Sequence, residues 1–119
     1  MMWNVEFTNE FEDWWNNLTI DEQDSVAACI PFLQERGPSL GRPLVDTVKG
    51  SRHPHMKELR PLATNIRILF AFDPRRVAIL LIGGDKTNRW QEWYSTNIPI
   101  ADSLYDEYLK ELRREGELP

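Results

Sequence analysis

A single cysteine, Cys29, stands among 119 residues, so the chain has no disulfide framework and nothing in it calls for an oxidising compartment. Long apolar runs are also missing. The longest spans Val77 to Ile82, far short of the roughly 20 residues that cross a bilayer as a helix. The opening MMWNVEFTNEFEDWW places acids where an export signal needs bases. These absences predict a soluble cytoplasmic protein with no membrane partner. Repeats and low-complexity segments are absent too, and no stretch reads as a linker. With 41% apolar residues, 1–119 is expected to fold as one domain around one core.

Basic residues are scarce at one end and crowded in the middle. The first 35 residues hold eight acids and no lysine or arginine, whereas Arg36 to Arg89 holds eleven bases against four acids. The formal net charge of −5 therefore conceals a cationic centre. Such a centre flanked by acidic segments suggests a local site for a polyanion.

Periodicity supplies the elements. Trp3, Val5 and Phe7 alternate with polar residues as in a half-buried strand. Thr8 caps a helix carrying Phe11, Trp14 or Trp15, and Leu18. A second helix opens on the capping box Thr19-Ile20-Asp21-Glu22, is kinked by Pro31 and closes at Gly37. A short extended piece runs from Leu44 to Val48. Extended segments follow at His55 to Leu62, Asn65 to Phe72 and Val77 to Ile82, the last apolar on both faces as in a central strand. Trp90, Trp93 and Tyr94 suggest a helical turn interrupted at Ile98-Pro99, and Ile100 to Glu115 is an amphipathic helix. The pattern predicts an α+β domain. Its antiparallel sheet would carry an N-terminal helical hairpin and a C-terminal helix on one face and leave the other face open.

With MKELR at Met56 to Arg60, IRILFAFDPRR at Ile66 to Arg76, an apolar strand ending in GGDK at Lys86 and IPIADSLYDEYL opening the last helix, the chain resembles the RelE/ParE superfamily of bacterial toxins, in its HigB-like branch. The resemblance covers most of the chain. It implies a RelE-like fold and a ribosome-dependent mRNA endonuclease acting in the ribosomal A site, held inactive by a cognate antitoxin of helix-turn-helix type. The same scaffold serves a ParE-like gyrase inhibitor, and a non-toxic scaffold that only binds its antitoxin is a third reading.

Cleavage of RNA by its own 2′-hydroxyl needs a proton acceptor, a proton donor and positive charge around phosphorus, but no metal or other cofactor. By the resemblance, Arg67 is the first candidate and Arg60, at the end of the Glu-Leu-Arg strand, the second; a guanidinium can hold two phosphate oxygens at once. Glu58 could instead neutralise Arg60 as an ion pair. Lys86, after the last central strand, is the third catalytic candidate, and Gly83-Gly84 beside it would let RNA approach the backbone. For RNA binding the candidates are Lys57, on the opposite parity from Arg60; His53 and His55, the only groups with ordinary pKa near neutrality; and Trp90 and Tyr94, able to stack on bases. Each has a plainer reading as a solvated or core residue. The His-x-His pair lacks the partners a metal site needs, so no metal is expected.

Overall fold

The computed structural model describes residues 2–87 and 89–118. Strand β1 (Asn4–Phe7) leads into helices α1 (Asn9–Asn16), α2 (Ile20–Ala27) and α3 (Ile30–Arg36). Strands β2 (Val45–Thr47), β3 (Lys57–Leu59), β4 (Ile66–Phe72) and β5 (Val77–Asp85) follow, and α4 (Trp90–Arg114) ends the fold. The strands form one sheet in the order β1-β5-β4-β3-β2. The α+β class, the N-terminal helices and the C-terminal helix are as the pattern predicts. Strands β2 to β5 pair antiparallel, and only β1 runs parallel to its neighbour, β5.

Local chemistry explains the helix boundaries. The Thr8 hydroxyl accepts from the Phe11 amide at 3.0 Å and donates to the Leu81 carbonyl at 2.6 Å, so one side chain both starts α1 and fastens it to β5. Thr19 and Glu22 exchange hydrogen bonds in a complete capping box. Pro31 breaks the second predicted helix instead of bending it. In a continuous helix its missing N–H would leave the Ala27 carbonyl unpaired. The chain turns after Ala27, and Pro31 falls in the first turn of α3, where no amide is needed. Pro99 behaves in the opposite way. It lies inside the unbroken 25-residue α4, and both Pro99 and Ser95, whose carbonyl it cannot satisfy, face solvent.

The expected open face of the sheet is covered. On one side Ile66, Ile68, Phe70, Ala78 and Leu80 pack against Phe11, Val26 and Leu33 of α1–α3. On the other, Leu69, Ala71, Ile79 and Leu81 meet Trp93, Ile98, Ala101 and Tyr105 of α4. A central strand apolar on both faces needs two covers, and the stripe of α4 is the second. Two anchors hold α4 down. The buried Asp73 carboxylate accepts from Arg75 and from the Tyr108 hydroxyl. Buried Asp102 accepts from Ser51 Oγ and, at 3.0 Å, from the Arg52 amide.

Candidate nucleic-acid interface

Where the first turns of α4 cross β3 and β2, helix and sheet part to leave a cleft of about 550 Å³. Arg42, Lys49, Arg60 and Lys86 bring four positive charges to its wall against the carboxylates of Asp46 and Glu58; Trp90, Tyr94 and Ile98 close the helix side. Strand pairing builds this cleft. Glu58 lies opposite Leu69 and Leu59 opposite Ile68, so the next step of the same register sets Arg60 opposite Arg67. Residues two apart share a face, and Glu58, Arg60, Arg67 and Leu69 therefore all project towards α4.

At the centre, Glu58 is 5% exposed, with one carboxylate oxygen taking the Arg60 guanidinium at 2.8 Å and the other taking the Tyr94 hydroxyl at 2.5 Å. Burial, and then the Glu58 carboxylate that accepts its proton, push the Tyr94 pKa up to about 12, and the neighbouring Arg67 guanidinium pulls it the other way. The phenol is thus protonated at neutral pH. Arg67 is 7% exposed, donates through Nη1 to the Ile66 carbonyl at 2.7 Å and pairs with no carboxylate among the described residues. Its Nε is the one buried side-chain polar atom among those residues with no partner. A buried cation in this state is electrostatically incomplete. The arrangement can take a proton on a carboxylate, release one from a phenol and surround an anion with guanidinium and ammonium groups.

Arg60, Lys86, Trp90 and Tyr94 meet at the cleft, and Arg67 lies near Tyr94 without lining the cleft. Trp90 is 55% exposed, whereas Trp93 is buried. The other sequence candidates lie elsewhere. Lys57 pairs with Phe70 and so shares the α1–α3 face. His53 binds Asp106 at 2.8 Å and sets its ring edge against Tyr105, with centroids 4.9 Å apart. Asp106 lies twelve residues along α4 from Tyr94, about 18 Å at the helical rise, so His53 belongs to the anchor of α4 and not to the cleft. His55 is exposed in the same loop. Gly83 and Gly84 do not admit RNA either. A Cβ at Gly83 would lie 2.4 Å from the Trp14 ring and one at Gly84 2.2 Å from Trp93 Nε1, so these glycines seat two indoles on opposite faces of β5.

Sequence reasoning treated Glu58 only as a neutralising partner of Arg60, which it is; it also forms the floor of the cleft beside Tyr94. Its shared parity with Arg60 in MKELR was the available signal. Arg42 and Lys49 were passed over because β2 reaches the cleft only through pairing with β3. Among the described residues, no cluster of three or more His, Cys, Asp or Glu side chains could hold a metal ion, and no helix is long and apolar enough to cross a membrane.

Residues 13–106 match the family described as Phage derived protein Gp49-like. The Mycobacterium tuberculosis protein HigB3, named as a toxin, is 53% identical over 100 residues, which are 84% of this chain and 88% of that protein. HigB2 of the same organism, also named as a toxin, is 52% identical over 99 residues; the match takes 81% of this chain but 49% of HigB2, so this chain spans about half of that relative. Among solved structures, the fold is similar to a chain of the archaeal RelE–RelB complex from Pyrococcus horikoshii OT3, with a TM-score of 0.59 at 13% identity, covering 74% of this chain and 99% of that one. It is similar also to the intact E. coli RelBE toxin–antitoxin complex, with a TM-score of 0.58 at 12% identity over 70% of this chain and 95% of that one.

Proposed function

Since this chain belongs to the Gp49-like family, has HigB relatives and carries the RelE-like fold, we propose that it is the toxin of a toxin–antitoxin pair and that its cationic cleft cuts messenger RNA in the ribosomal A site. The observation that carries the reading is Arg67, a guanidinium more than nine-tenths buried, with no carboxylate partner and Nε unbound among the described residues, and set with Arg60 one register step beyond the Leu59–Ile68 pair. At rest the Glu58 carboxylate answers Arg60, which leaves the Arg67 guanidinium as the charge with no counter-anion among the described residues. A phosphodiester supplies that anion.

In this reading Arg60 holds one non-bridging oxygen of the scissile phosphate, the Arg67 guanidinium turns past Tyr94 from its buried position to hold the other as the anion enters, and Lys86 meets a neighbouring phosphate. Glu58 takes the proton of the ribose 2′-hydroxyl. The 2′-oxygen attacks phosphorus, the bond to the 5′-oxygen breaks, and Tyr94 gives that oxygen its proton. The products are a 2′,3′-cyclic phosphate and a free 5′-hydroxyl. Exposed Trp90 stacks on an unpaired base, a contact worth about 1–3 kcal/mol. The resting Glu58–Arg60 ion pair gives way when phosphate competes for the guanidinium. A cognate antitoxin, of helix-turn-helix type, holds the toxin inactive.

The test is incubation of the purified chain with ribosomes translating a defined message, followed by mapping of 5′ ends. Cleavage in the A-site codon is expected, with cyclic-phosphate termini, and none where the cut nucleotide lacks its 2′-hydroxyl. An intact message together with inhibition of gyrase supercoiling would replace this reading with the ParE-like one.

A further inference from the structure

On the far side of the sheet from the cleft lies a second concavity. Val5 and Phe7 of β1, Phe11 and Trp15 of α1, Val26 of α2 and Ile30 of α3 line a groove of about 520 Å³. The rings of Phe7 and Phe11 lie 5.9 Å apart and those of Phe11 and Trp15 6.3 Å apart, an aromatic floor from which Phe7 stands 54% exposed. β1 is also the last strand of the sheet. The amides of Asn4 and Thr8 turn inward to the β5-side carbonyls of Arg76 and Leu80, at 3.2 and 3.1 Å. By strand alternation the amides of Val5 and Phe7 face outward along the groove. An apolar surface of this kind beside a free strand edge is an interaction site.

Charge decides what fits it. Glu12 lines the groove, and Glu10, Asp13, Asp21 and Asp24 lie on the same two helices. None of these five acids pairs with a cation among the described residues, and no lysine or arginine precedes Arg36 in the chain. A nucleic acid or an anionic membrane would be repelled. A second copy of this chain would bring the same acidic helices against them.

We infer that the groove seats a cationic segment of the antitoxin, in which large apolar side chains flanked by lysine or arginine enter between β1 and α1–α3; the inference rests on the toxin reading above. The occupant sits behind the sheet and leaves the cleft itself open. Complementary charge speeds and orients its docking, and the buried apolar side chains set its lifetime.

The probe is the whole antitoxin encoded in the neighbouring reading frame, titrated into the full chain by calorimetry and then replaced by overlapping peptides that tile its sequence. Glu12 is exposed, so Glu12→Lys keeps the wild-type melting temperature; Phe7→Ser gives up a half-buried ring and lowers it by a few degrees, and both variants stay folded at the assay temperature with RNA cleavage at the wild-type value. Glu12→Lys is expected to weaken binding about tenfold at low salt, and the difference should fall below about twofold near 0.5 M salt as screening shortens the reach of charge. Phe7→Ser should weaken binding about tenfold at both salt concentrations. The binding peptide should carry net positive charge. Antitoxin binding unchanged within about twofold in both variants, an acidic binding peptide, or a dimer of the free chain that Phe7→Ser dissociates would each overturn the placement and leave the toxin reading intact. Failure of the wild-type chain to bind the antitoxin at all would overturn that reading as well.

Discussion

Replacing Arg67 with methionine should stabilise the protein and abolish its chemistry, and the two effects can be measured separately. Methionine keeps the apolar volume of the side chain between Leu69 and α4 but removes a charge that is 7% exposed and has no carboxylate partner among the described residues. A buried polar group left unpaired costs about 1–3 kcal/mol, and exchanging buried charges for apolar groups of similar volume is neutral or gains about 1–4 kcal/mol. Against this stands the lost bond from Nη1 to the Ile66 carbonyl, about 1 kcal/mol. The balance is a gain of about 1 kcal/mol, read as a rise of roughly 3–6 °C in melting temperature for a chain of this length. Phosphate held by two charge-assisted hydrogen bonds loses about 3–6 kcal/mol, so cleavage of ribosome-bound message should fall about 10²- to 10⁴-fold. Thermal melting and 5′-end mapping on the same preparation give both numbers. A variant that loses more than about 1 kcal/mol would show that the guanidinium is a structural brace. One that cuts at the wild-type rate would remove Arg67 from the site.

Other substitutions probe neighbouring parts of the same geometry. Glu58→Gln should reduce cleavage by at least about 10²-fold through loss of the proton acceptor and cost about 1–2 kcal/mol by weakening the bond to Arg60, measured by single-turnover cleavage and urea unfolding. Gly84→Ala places a methyl 2.2 Å from Trp93 Nε1 and should cost about 1–3 kcal/mol of stability by overpacking; a melting temperature at the wild-type value would refute the seating of Trp93 on β5. Alkaline stability follows from three phenols. Burial and the Glu58 carboxylate raise Tyr94 to about 12, and burial with the Asp73 carboxylate raises Tyr105 and Tyr108 as well. The unfolded chain ionises its tyrosines near pH 10 while the folded one holds these three protonated to higher pH, so their contribution is complete below about pH 10 and disappears as the pH climbs towards the folded values. Urea midpoints from pH 8 to 12 should fall above about pH 10, and less steeply for Tyr94→Phe.

Much of the fold was legible because its causes are local. The Thr19–Glu22 capping box, the alternation of Ile66 to Phe72, the two-sided apolar strand from Val77 and the stripe of the last helix each register in a short window of sequence. The two prolines were not legible, because the same missing amide has opposite outcomes in two environments. Pro31 ends a helix whose Ala27 carbonyl would otherwise be orphaned, whereas Pro99 is absorbed on a solvent-facing side of α4. The glycines were misread for a related reason: the indoles that fill the space above Gly83 and Gly84 come from α1 and α4, far away in sequence. Histidine chemistry was misplaced likewise, since only the docking of the 51–53 loop on α4 commits His53 to Asp106.

The chain by itself determined the class of fold, the concentration of cations between Arg36 and Arg89, and the shared strand parity of Glu58 and Arg60, whereas the register of β3 on β4 was needed to bring Arg67 to the same face. The first three follow from composition and from the two-residue repeat of a strand, which need no knowledge of distant partners. Tertiary structure alone decided that α4 covers the face expected to be open, that Tyr94 comes down onto Glu58, and that Arg67 is buried without a carboxylate beside it. Burial and pairing depend on which surfaces meet across long sequence separations, and no local pattern encodes that meeting.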